Sequence, residues 1–194
     1  MTTTVTVLNG VDTIGGNVVS FETAQARVIM DFGMNFAPAD TRPDDLLSSG
    51  VLPDLPDLFS DAKATDQETA IFVSHLHLDH MGALQYLTKP TPVYMSPESA
   101  KLYAELIRQG FESAPNAQIK VIMTEAPVKI GDLSVQAFLS DHDAMGAYMF
   151  AVTDGKHRFV HSGDVRYDGW HPERVTAWTN YLHEHQPDLF FIEG

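Results

Sequence analysis

Four side chains that bind metal ions or move protons occur within one short segment, His75-Leu76-His77-Leu78-Asp79-His80. In an extended segment alternate side chains point to the same side, so His75 and His77 can hold one cation together. Asp79 and His80 follow where the chain turns, and we expect them to face a second cation close by. Imidazole suits zinc, and a carboxylate adds a hard ligand that manganese or iron also accepts. The spacing therefore predicts a metal site of the kind that activates water.

Two later segments carry the same residue types at the ends of predicted strands. Ser140-Asp141-His142-Asp143 follows one strand, and His161-Ser162-Gly163-Asp164 closes another. We predict His142 as a third imidazole for the first cation and Asp164 as a carboxylate that bridges both cations. A chance cluster of solvated histidines is the simpler alternative, because the chain has nine histidines. The buried-type strand that directly precedes His75 favours a built site over that alternative.

The composition limits the classes of protein and partner that this chain fits. Its 194 residues are enough for one domain with a hydrophobic core, and the absence of cysteine excludes disulfides, thiolate metal sites and a cysteine nucleophile. We find neither a signal peptide nor an apolar run of about 20 residues, and we predict a cytoplasmic protein that does not bind membranes. The formal net charge of −14 disfavours broad binding of a nucleic-acid backbone.

The elements that must position these residues alternate between strands and helices. Strands are predicted at Val5–Leu8, Val18–Glu22, Ala26–Asp31, Ala70–Ser74, Pro92–Met95, Ile119–Met123, Val128–Ile130, Leu133–Leu139, Tyr148–Thr153, His157–His161 and Leu189–Ile192. Helices are predicted over Met81–Leu87, from the N-cap Ser96 to Gly110, and from Pro172 to a stop at Pro187, with a long loop from about Pro38 to Gln67. We expect His161 to face away from Asp164 on their shared strand. This order predicts an α+β sandwich in which helices cover the faces of sheets.

The segment from His75 to His80 resembles the metallo-β-lactamase superfamily, whose signature His-x-His-x-Asp-His it matches in full. The strand end Asp31-Phe32-Gly33 also resembles the early Asp-x-Gly of that family. The residues around His142 lack the Pro-Gly-His-Thr-like turn of the glyoxalase II and lactonase branches, and look more like the ribonuclease J-like, β-CASP branch. The resemblance implies a four-layer αβ/βα sandwich with metals at one edge of the paired sheets.

The end of the chain extends this resemblance. The segment Phe190-Phe191-Ile192-Glu193-Gly194 is similar to the strand that leads into the β-CASP insertion, with Glu193 at its acidic position. The family takes one more histidine for its second metal from beyond that insertion. The resemblance therefore implies that residues 1–194 are the N-terminal metallo-β-lactamase-like portion of a longer enzyme, with the sandwich incomplete at the C-terminus. Full occupancy of the second metal site and activity of this portion alone stay open.

The activity that the resemblance implies is that of a metal-dependent phosphodiesterase acting on RNA or single-stranded nucleic acid. Two zinc ions, or manganese or iron in their place, would lower the pKa of a bound water to about 7 and supply hydroxide. The implied ligands are His75, His77 and His142 for the first ion and Asp79, His80 and Asp164 for the second. Asp79 would also orient the hydroxide. Asp31 and Asp143 are candidates to fix ligand histidines through their ring N–H groups.

Two other functions stay open on the sequence alone. A small-molecule hydrolase that opens a lactone or a thioester would use the same ions, and the low content of basic residues favours it. A folded domain without catalysis, acting as a scaffold or an interaction module, is the third possibility. An open sheet edge would also let the chain form homo-oligomers. Metal content after purification without chelator separates the third possibility from the first two.

Overall fold

The computed structural model describes residues 2–11, 13, 15–35, 41–60 and 65–193, and the strands in these ranges form two sheets. The first sheet has the order β1-β2-β3-β4-β5-β6 and consists of β1 (Thr4–Asn9), β2 (Val18–Glu22), β3 (Ala26–Met30), β4 (Glu68–Phe72), β5 (Thr91–Met95) and β6 (Ala117–Val121). The second has the order β11-β10-β9-β8-β7 and consists of β7 (Val128–Ile130), β8 (Leu133–Leu139), β9 (Tyr148–Thr153), β10 (Arg158–Asp164) and β11 (Leu189–Glu193). Each predicted strand is confirmed, with small shifts at the ends.

Helices cover the outer faces of the sheets. They are α1 (Pro43–Ser48), α2 (Pro56–Phe59), α3 (Leu78–Met81), α4 (Pro97–Gln109) and α5 (Pro172–Glu184), with a 3₁₀ helix over Gly82–Tyr86. The caps predicted for α4 are confirmed, because the Ser96 hydroxyl accepts a hydrogen bond from the Ser99 backbone N–H and Gly110 takes a left-handed conformation. Within the described ranges, the helices are too short or too polar to cross a bilayer.

The predicted helix Met81–Leu87 is wrong in its start and its type. A single α-helical turn begins at Leu78, and the 3₁₀ helix follows it. The cause is tertiary, since the backbone carbonyls of Leu78 and His80 accept hydrogen bonds from the backbone N–H groups of Met34 and Phe32. The predicted loop from Pro38 to Gln67 contains α1 and α2, while residues 38–40 and 61–64 of it, like Gly194, lie outside the described residues.

Apolar side chains fill three interfaces between four layers. One cluster joins the helices α1 to α4 to the first sheet, and it includes Ile29, Leu46, Ile71, Val93 and Tyr103. A second lies between the sheets and includes Val28, Met30, Phe72, Val135 and Phe150. A third packs α5 on the second sheet and includes Met149, Val160 and Trp178. Both faces of β3 and of the second half of β4 are covered, so Val28, Ile29 and Met30 in β3 and Ala70, Ile71 and Phe72 in β4 form continuous apolar runs, as strands buried on two sides require. The predicted four-layer α+β sandwich is confirmed.

The direction of the strands brings one set of strand ends together. Strands β3 to β6 are parallel, and β8, β10 and β11 share one direction in the second sheet. The backbone N–H of Tyr148 donates to the carbonyl of Ser74 at 2.9 Å and joins the two sheets where these strands end. These strand ends therefore meet along one edge of the sandwich, and every predicted metal ligand lies at a strand end or in the segment that follows it.

Candidate metal centre

The residues singled out from the sequence lie at the carboxyl ends of four strands. His75, His77, Asp79 and His80 follow β4, His142 follows β8, Asp164 ends β10, and Glu193 ends β11. These strands belong to two different sheets, so the segments become neighbours only because the sheets pack face to face. Two groups of side chains result, and in each the donor atoms lie within 4.8 Å of one another.

The first group consists of His75, His77, His142 and Asp164. The Nε2 atom of His75 lies 3.1 Å from Nδ1 of His77, and Nε2 of His142 lies 3.3 Å from that same atom. A neutral imidazole has one N–H and one lone pair, so one His77 nitrogen cannot satisfy both neighbours. A cation placed between the rings would take all three lone pairs. The donor set, three imidazoles and a carboxylate, is one that zinc and other divalent ions bind.

The second group consists of His80, Asp164 and Glu193. Oδ1 of Asp164 lies 3.4 Å from Nε2 of His80, whereas Oδ2 lies 3.5 Å from Nε2 of His142. Asp164 thus directs one oxygen to each group, which is the geometry needed of a bridging carboxylate. The side chain of Asp79 borders this second group, with Oδ2 3.6 Å from Nε2 of His80.

Asn17 ties the second group together from the opposite side. Its side-chain Nδ2 donates to Oε1 of Glu193 at 2.5 Å and lies 3.3 Å from Nε2 of His80. Its backbone N–H donates to the carbonyl of Asp79 at 2.8 Å. Asn17 therefore fixes both the backbone after β4 and the carboxylate at the end of β11. The sequence analysis did not single out this residue, and the glycines before it were the only local signal of a special turn.

Asp31 is the buried support of the second group. Its Oδ2 accepts hydrogen bonds from the Ser74 hydroxyl at 2.8 Å and from Nδ1 of His80 at 2.7 Å, and Oδ1 accepts from the Ser74 backbone N–H at 2.7 Å. With Nδ1 of His80 engaged in this way, the other ring nitrogen, Nε2, faces the second group. Asp31 has φ of 57°, in the left-handed region that Asp tolerates better than most residues. Asp31 thus contacts His80 directly, and its supporting role at a metal stays a prediction.

The predicted orientation of His161 is wrong. It was expected to face away from Asp164, but its buried ring reaches Asp31, with Nε2 3.0 Å from Oδ2. The strand register is irregular between His161 and Asp164 where β10 pairs with β11, so simple alternation does not hold there. His161 therefore supports the same buried carboxylate that holds His80.

Asp143 contacts two histidines of the first group rather than one. Its Oδ1 lies 3.1 Å from Nε2 of His142 and 3.5 Å from Nε2 of His77, and its Oδ2 accepts a hydrogen bond from Arg166 at 2.7 Å. The Nε2 atom of His77 points away from the other imidazoles, because Nδ1 faces them, so the contact with Asp143 can orient the ring. The Nε2 atom of His142 faces the other imidazoles, so at His142 the carboxylate of Asp143 lies beside the metal-binding atom itself.

The electrostatics divide the histidines into neutral and charged rings. Burial and then the charge of His80 lower the pKa of His75 to about 3, and burial also lowers the pKa of His142. Burial opposes the charge on His80 as well, but the carboxylates of Asp31 and Asp164 outweigh it and raise the pKa of His80 to about 11. The lowered pKa values favour neutral imidazoles at His75 and His142, the form that binds metals, whereas His80 must release a proton before it can bind one.

The backbone between Asp31 and His80 is packed as tightly as the side chains. A Cβ atom placed on Gly33 would lie 1.6 Å from the carbonyl oxygen of Asp79. The backbone N–H of Phe32 donates to the carbonyl of His80 at 2.7 Å in the same contact. Only a glycine at position 33 permits this approach, which gives a physical reason for the glycine of the Asp31-Phe32-Gly33 segment.

Comparison with known proteins gives this arrangement a family. A family model described as the beta-lactamase superfamily domain matches residues 40–183, most of the chain. The chain belongs to the metallo-β-lactamase superfamily. The fold of this superfamily implies a divalent metal, and the two groups of donor atoms lie at the strand ends where the metal was expected.

Curated relatives within the metallo-β-lactamase superfamily include ribonuclease J from two distant bacteria. Ribonuclease J of Helicobacter pylori strain 26695 is 25% identical over 166 residues, covering 84% of this chain and 23% of that protein. Ribonuclease J of Mycobacterium tuberculosis strain H37Rv is 30% identical over 172 residues, covering 87% of this chain and 29% of that protein. The chain thus spans about a quarter of the length of the curated relatives it matches.

Solved structures agree with the metallo-β-lactamase fold. A protein of unknown function from Enterococcus faecalis V583 superposes with a TM-score of 0.83 at 28% identity, over 99% of this chain and 50% of that one. A Cronobacter sakazakii metallo-β-lactamase with a HARLDQ motif superposes with a TM-score of 0.59 at 17% identity, over 93% of this chain and 68% of that one. The second likeness supports the fold alone.

Proposed function

We propose that this chain is the metal-binding catalytic portion of a hydrolase that cleaves phosphodiester bonds of RNA, as the name of its ribonuclease J relatives suggests. The observation that carries the proposal is the position of Asp164, whose two oxygens face two separate groups of metal-binding side chains. A shared carboxylate can hold two ions a few ångströms apart. Dinuclear centres of this kind are widely used for phosphodiester hydrolysis, because they stabilise the attacking and the leaving oxygen together.

We assign each side chain a place at the ions. His75, His77 and His142 would hold the first ion and His80 with Glu193 the second, and Asp164, which belongs to both groups, would serve both ions. Glu193 thus takes the place at the second ion that the family resemblance gave to a later histidine. Asp79 borders the second group and has a partly exposed side chain, so it would orient the attacking water and accept its proton. Zinc fits these ligands, as do manganese and iron.

The bound ions would supply Lewis acidity and lower the pKa of a coordinated water to about 7. The chain's own residues prepare that chemistry in three ways. Burial keeps the imidazoles of His75 and His142 neutral and therefore available as ligands. Asp31 holds the ring of His80 in one orientation. The hydrogen bond from Asn17 holds the carboxylate of Glu193 toward the centre.

A small-molecule esterase or lactonase is the second candidate. The observation that favours it is the net charge of −14, which repels a polyanionic substrate. The same two groups of ligands would serve either reaction, so only the substrate separates the candidates. We rank the ribonuclease first because curated relatives named ribonuclease J align with most of this chain.

The experiment compares the wild-type chain with His77→Ala and His183→Ala, each purified without chelator and reloaded with zinc or manganese. His77 is a half-exposed member of the first group, and His183 is an exposed histidine on α5. Metal content is measured by elemental analysis, and cleavage is measured on labelled single-stranded RNA, a lactone and a thioester. We expect wild type and His183→Ala to bind metal and cleave RNA, and His77→Ala to lose the first ion and the cleavage.

Three outcomes would contradict the proposal. A metal-loaded wild type that opens the lactone or thioester and leaves RNA intact supports the second candidate. Wild-type protein that takes up no zinc or manganese supports a folded domain without catalysis. RNA cleavage that survives in His77→Ala at the wild-type rate assigns the activity to something other than this centre.

A further inference from the structure

An open cleft of about 740 Å³ lies directly beside the candidate metal centre. His142 and Asp143 line it on one side, and the loop that follows β10 lines it on the other, up to the first turn of α5. His142 and Asp143 also belong to, or contact, the first group of metal-binding side chains. A molecule whose reacting bond reaches the centre would therefore extend into this cleft.

The loop carries an indole that is almost entirely in solvent. Trp170 is 93% exposed, whereas the only other tryptophan of the chain, Trp178, is 1% exposed in the core. Leaving a tryptophan in water forfeits a large gain from burial, because its side chain is among the largest apolar surfaces in proteins. Met145 and Tyr167, on the flanking segments, are also exposed. The cleft thus has an aromatic face with no intramolecular partner to cover the indole within the described part of the chain.

Asp141 fixes the backbone of this loop. Its buried carboxylate accepts a hydrogen bond from the backbone N–H of His171 at 2.7 Å. The backbone carbonyl of Asp141 accepts a second hydrogen bond, from the backbone N–H of Arg166 at 2.8 Å. A Cβ atom on Gly169 would lie 2.3 Å from Oδ2 of Asp141, so the glycine permits the loop to pack there. The residues on both sides of Trp170 are therefore anchored to the residue that precedes His142. The backbone at Trp170 therefore has a set position relative to the metal centre, while the indole itself is exposed to solvent.

Two of the few cationic side chains of this acidic protein line the same cleft. The chain has 12 lysines and arginines against 26 acidic residues, and Arg166 and Arg174 both contribute to the cleft wall. Arg166 donates to Asp143, which places its guanidinium next to the first group of histidines. Glu98 and Asp168 also line the cleft, so a phosphate is favoured only beside the arginines. An aromatic face and two guanidinium groups are the features that single-stranded nucleic-acid sites combine.

We propose that this cleft binds the single-stranded nucleic acid whose backbone enters the metal centre, with one unpaired base stacked on Trp170 and phosphates beside Arg166 and Arg174. The inference rests on the proposed function and adds to it a binding determinant outside the metal ligands. Every nucleobase has a π-face, so stacking of this kind is tolerant of sequence. It also offers an acidic protein a source of affinity that does not depend on its net charge.

The test uses Trp170 as its own probe, since the second tryptophan is buried. Zinc-loaded protein is titrated with a short phosphorothioate-linked, cleavage-resistant oligoribonucleotide, and binding is measured both by tryptophan fluorescence and by anisotropy of a labelled strand. An abasic strand of the same length and charge is the second ligand. The variants are Trp170→Ala, Trp170→Phe, which keeps an aromatic face, and Phe111→Ala, which removes an aromatic side chain that is 77% exposed and does not line the cleft.

We expect the base-containing strand to quench the tryptophan emission of the wild type. Trp170→Ala should weaken binding of that strand about tenfold, within the range found for loss of one stacked base, while Trp170→Phe and Phe111→Ala stay close to wild type. Binding of the abasic strand should be weaker and insensitive to position 170. A Trp170→Ala variant that binds the base-containing strand as tightly as wild type would overturn the inference, as would equal quenching by the abasic strand.

The outcomes for the cleft and for the metal centre are separable. Protein that binds the strand through Trp170 but cleaves no RNA keeps the cleft and overturns the proposed nuclease activity. Protein that cleaves RNA through His77 while Trp170→Ala binds normally keeps the nuclease and overturns the role of the cleft. If Trp170 is exposed because it binds a protein partner instead, Trp170→Ala should likewise bind the RNA strand normally.

Discussion

Asp31 and His80 are 49 residues apart in the sequence and form a fully buried ion pair, with Oδ2 of Asp31 2.7 Å from Nδ1 of His80. Asp31 directly follows β3 and His80 lies in α3, so the pair joins two segments that the parallel pairing of β3 with β4 brings side by side. The second nitrogen of His80 faces Asp164. One contact thus serves both stability and the orientation of a proposed ligand.

Asp31→Asn should destabilise the metal-free protein by about 3 kcal/mol, because removing one member of a buried pair leaves the charge of His80 without compensation. Asn tolerates the left-handed backbone of position 31, so the change removes charge without adding backbone strain. Metal affinity of the second group should fall roughly 10- to 100-fold, as for other supporting residues. Urea unfolding in chelator and metal titration measure the two effects. Asp44→Asn, at an exposed aspartate on α1, is the control, and equal unfolding free energies for the two variants would contradict the prediction.

The metal-free protein should be most stable near pH 6.5. The pKa of His75 falls to about 3 on folding, so between pH 3 and 6.5 the unfolded chain binds more protons at His75 and stability rises with pH. The pKa of His80 rises to about 11, so above pH 6.5 the folded state holds the extra proton at His80 and stability falls as pH rises. Each slope is at most about 1.4 kcal/mol per pH unit. Unfolding free energies measured in chelator from pH 5 to 9 test this.

His80→Gln is the control for the alkaline side of that profile. The variant lacks the group whose pKa is raised, so its stability should stop falling above pH 6.5. The rise below that pH should remain but be smaller, because the charge of His80 contributes to the lowered pKa of His75. A wild-type profile that climbs steadily from pH 6.5 to 9 would show that the charge assigned to His80 is wrong. Zinc should also bind more tightly as pH rises through this range, because His80 gives up a proton when it becomes a ligand.

Glu193→Gln should remove most of the affinity for the second ion and spare the first. Gln keeps the oxygen that accepts the hydrogen bond from Asn17, so the change is confined to the charge of the ligand. We expect at least a tenfold loss for the weaker of two zinc equivalents in a calorimetric titration, since loss of a ligand costs no less than loss of a supporting residue. Glu184→Gln, which changes an exposed residue of α5, should bind zinc like wild type. Two unchanged equivalents in Glu193→Gln would remove Glu193 from the centre.

Gly33→Ala should disturb the metal centre without touching a ligand. The added Cβ would meet the Asp79 carbonyl, which is backbone and cannot rotate away, so the segment from Asp79 to His80 must shift. We expect a loss of stability at the upper end of the roughly 1–3 kcal/mol usual for overpacking, together with reduced metal content. Gly82→Ala is the matched variant, because its nearest neighbour is the flexible side chain of Met34. Equal melting temperatures for the two variants would contradict the role given to Gly33.

Much of the fold could be read from local patterns. The alternation and apolar runs of the strands, the Ser96 cap and the glycine at position 110 each depend on residues close together in the chain, and the structure bears them out. The helix at residues 78–86 departed from its prediction because backbone groups of Phe32 and Met34 compete for its carbonyls. A local pattern cannot register a competitor that lies almost 50 residues away.

The candidate site divides in the same way. The spacing of the segment from His75 to His80 was enough to predict a metal site, because neighbouring ligands on one turn share a face whatever the rest of the chain does. Asp31 and Asp143 were candidate supports from the sequence, but Asn17, Asp141 and His161 were not, since they contribute hydrogen bonds or ion pairs to partners far away in sequence.

The sequence by itself determined the chemistry of this protein's candidate ligands and the strands that carry them. Only the tertiary structure decided that Glu193 joins His80 and Asp164, that His161 turns toward Asp31, and that Trp170 stands beside the centre. The physical reason is that the identity of each side chain, and so the metals it can bind, is set by the sequence. Whether distant side chains come together depends on how the two sheets pack and where their strands end. Packing is a property of the whole core, and no short segment contains it.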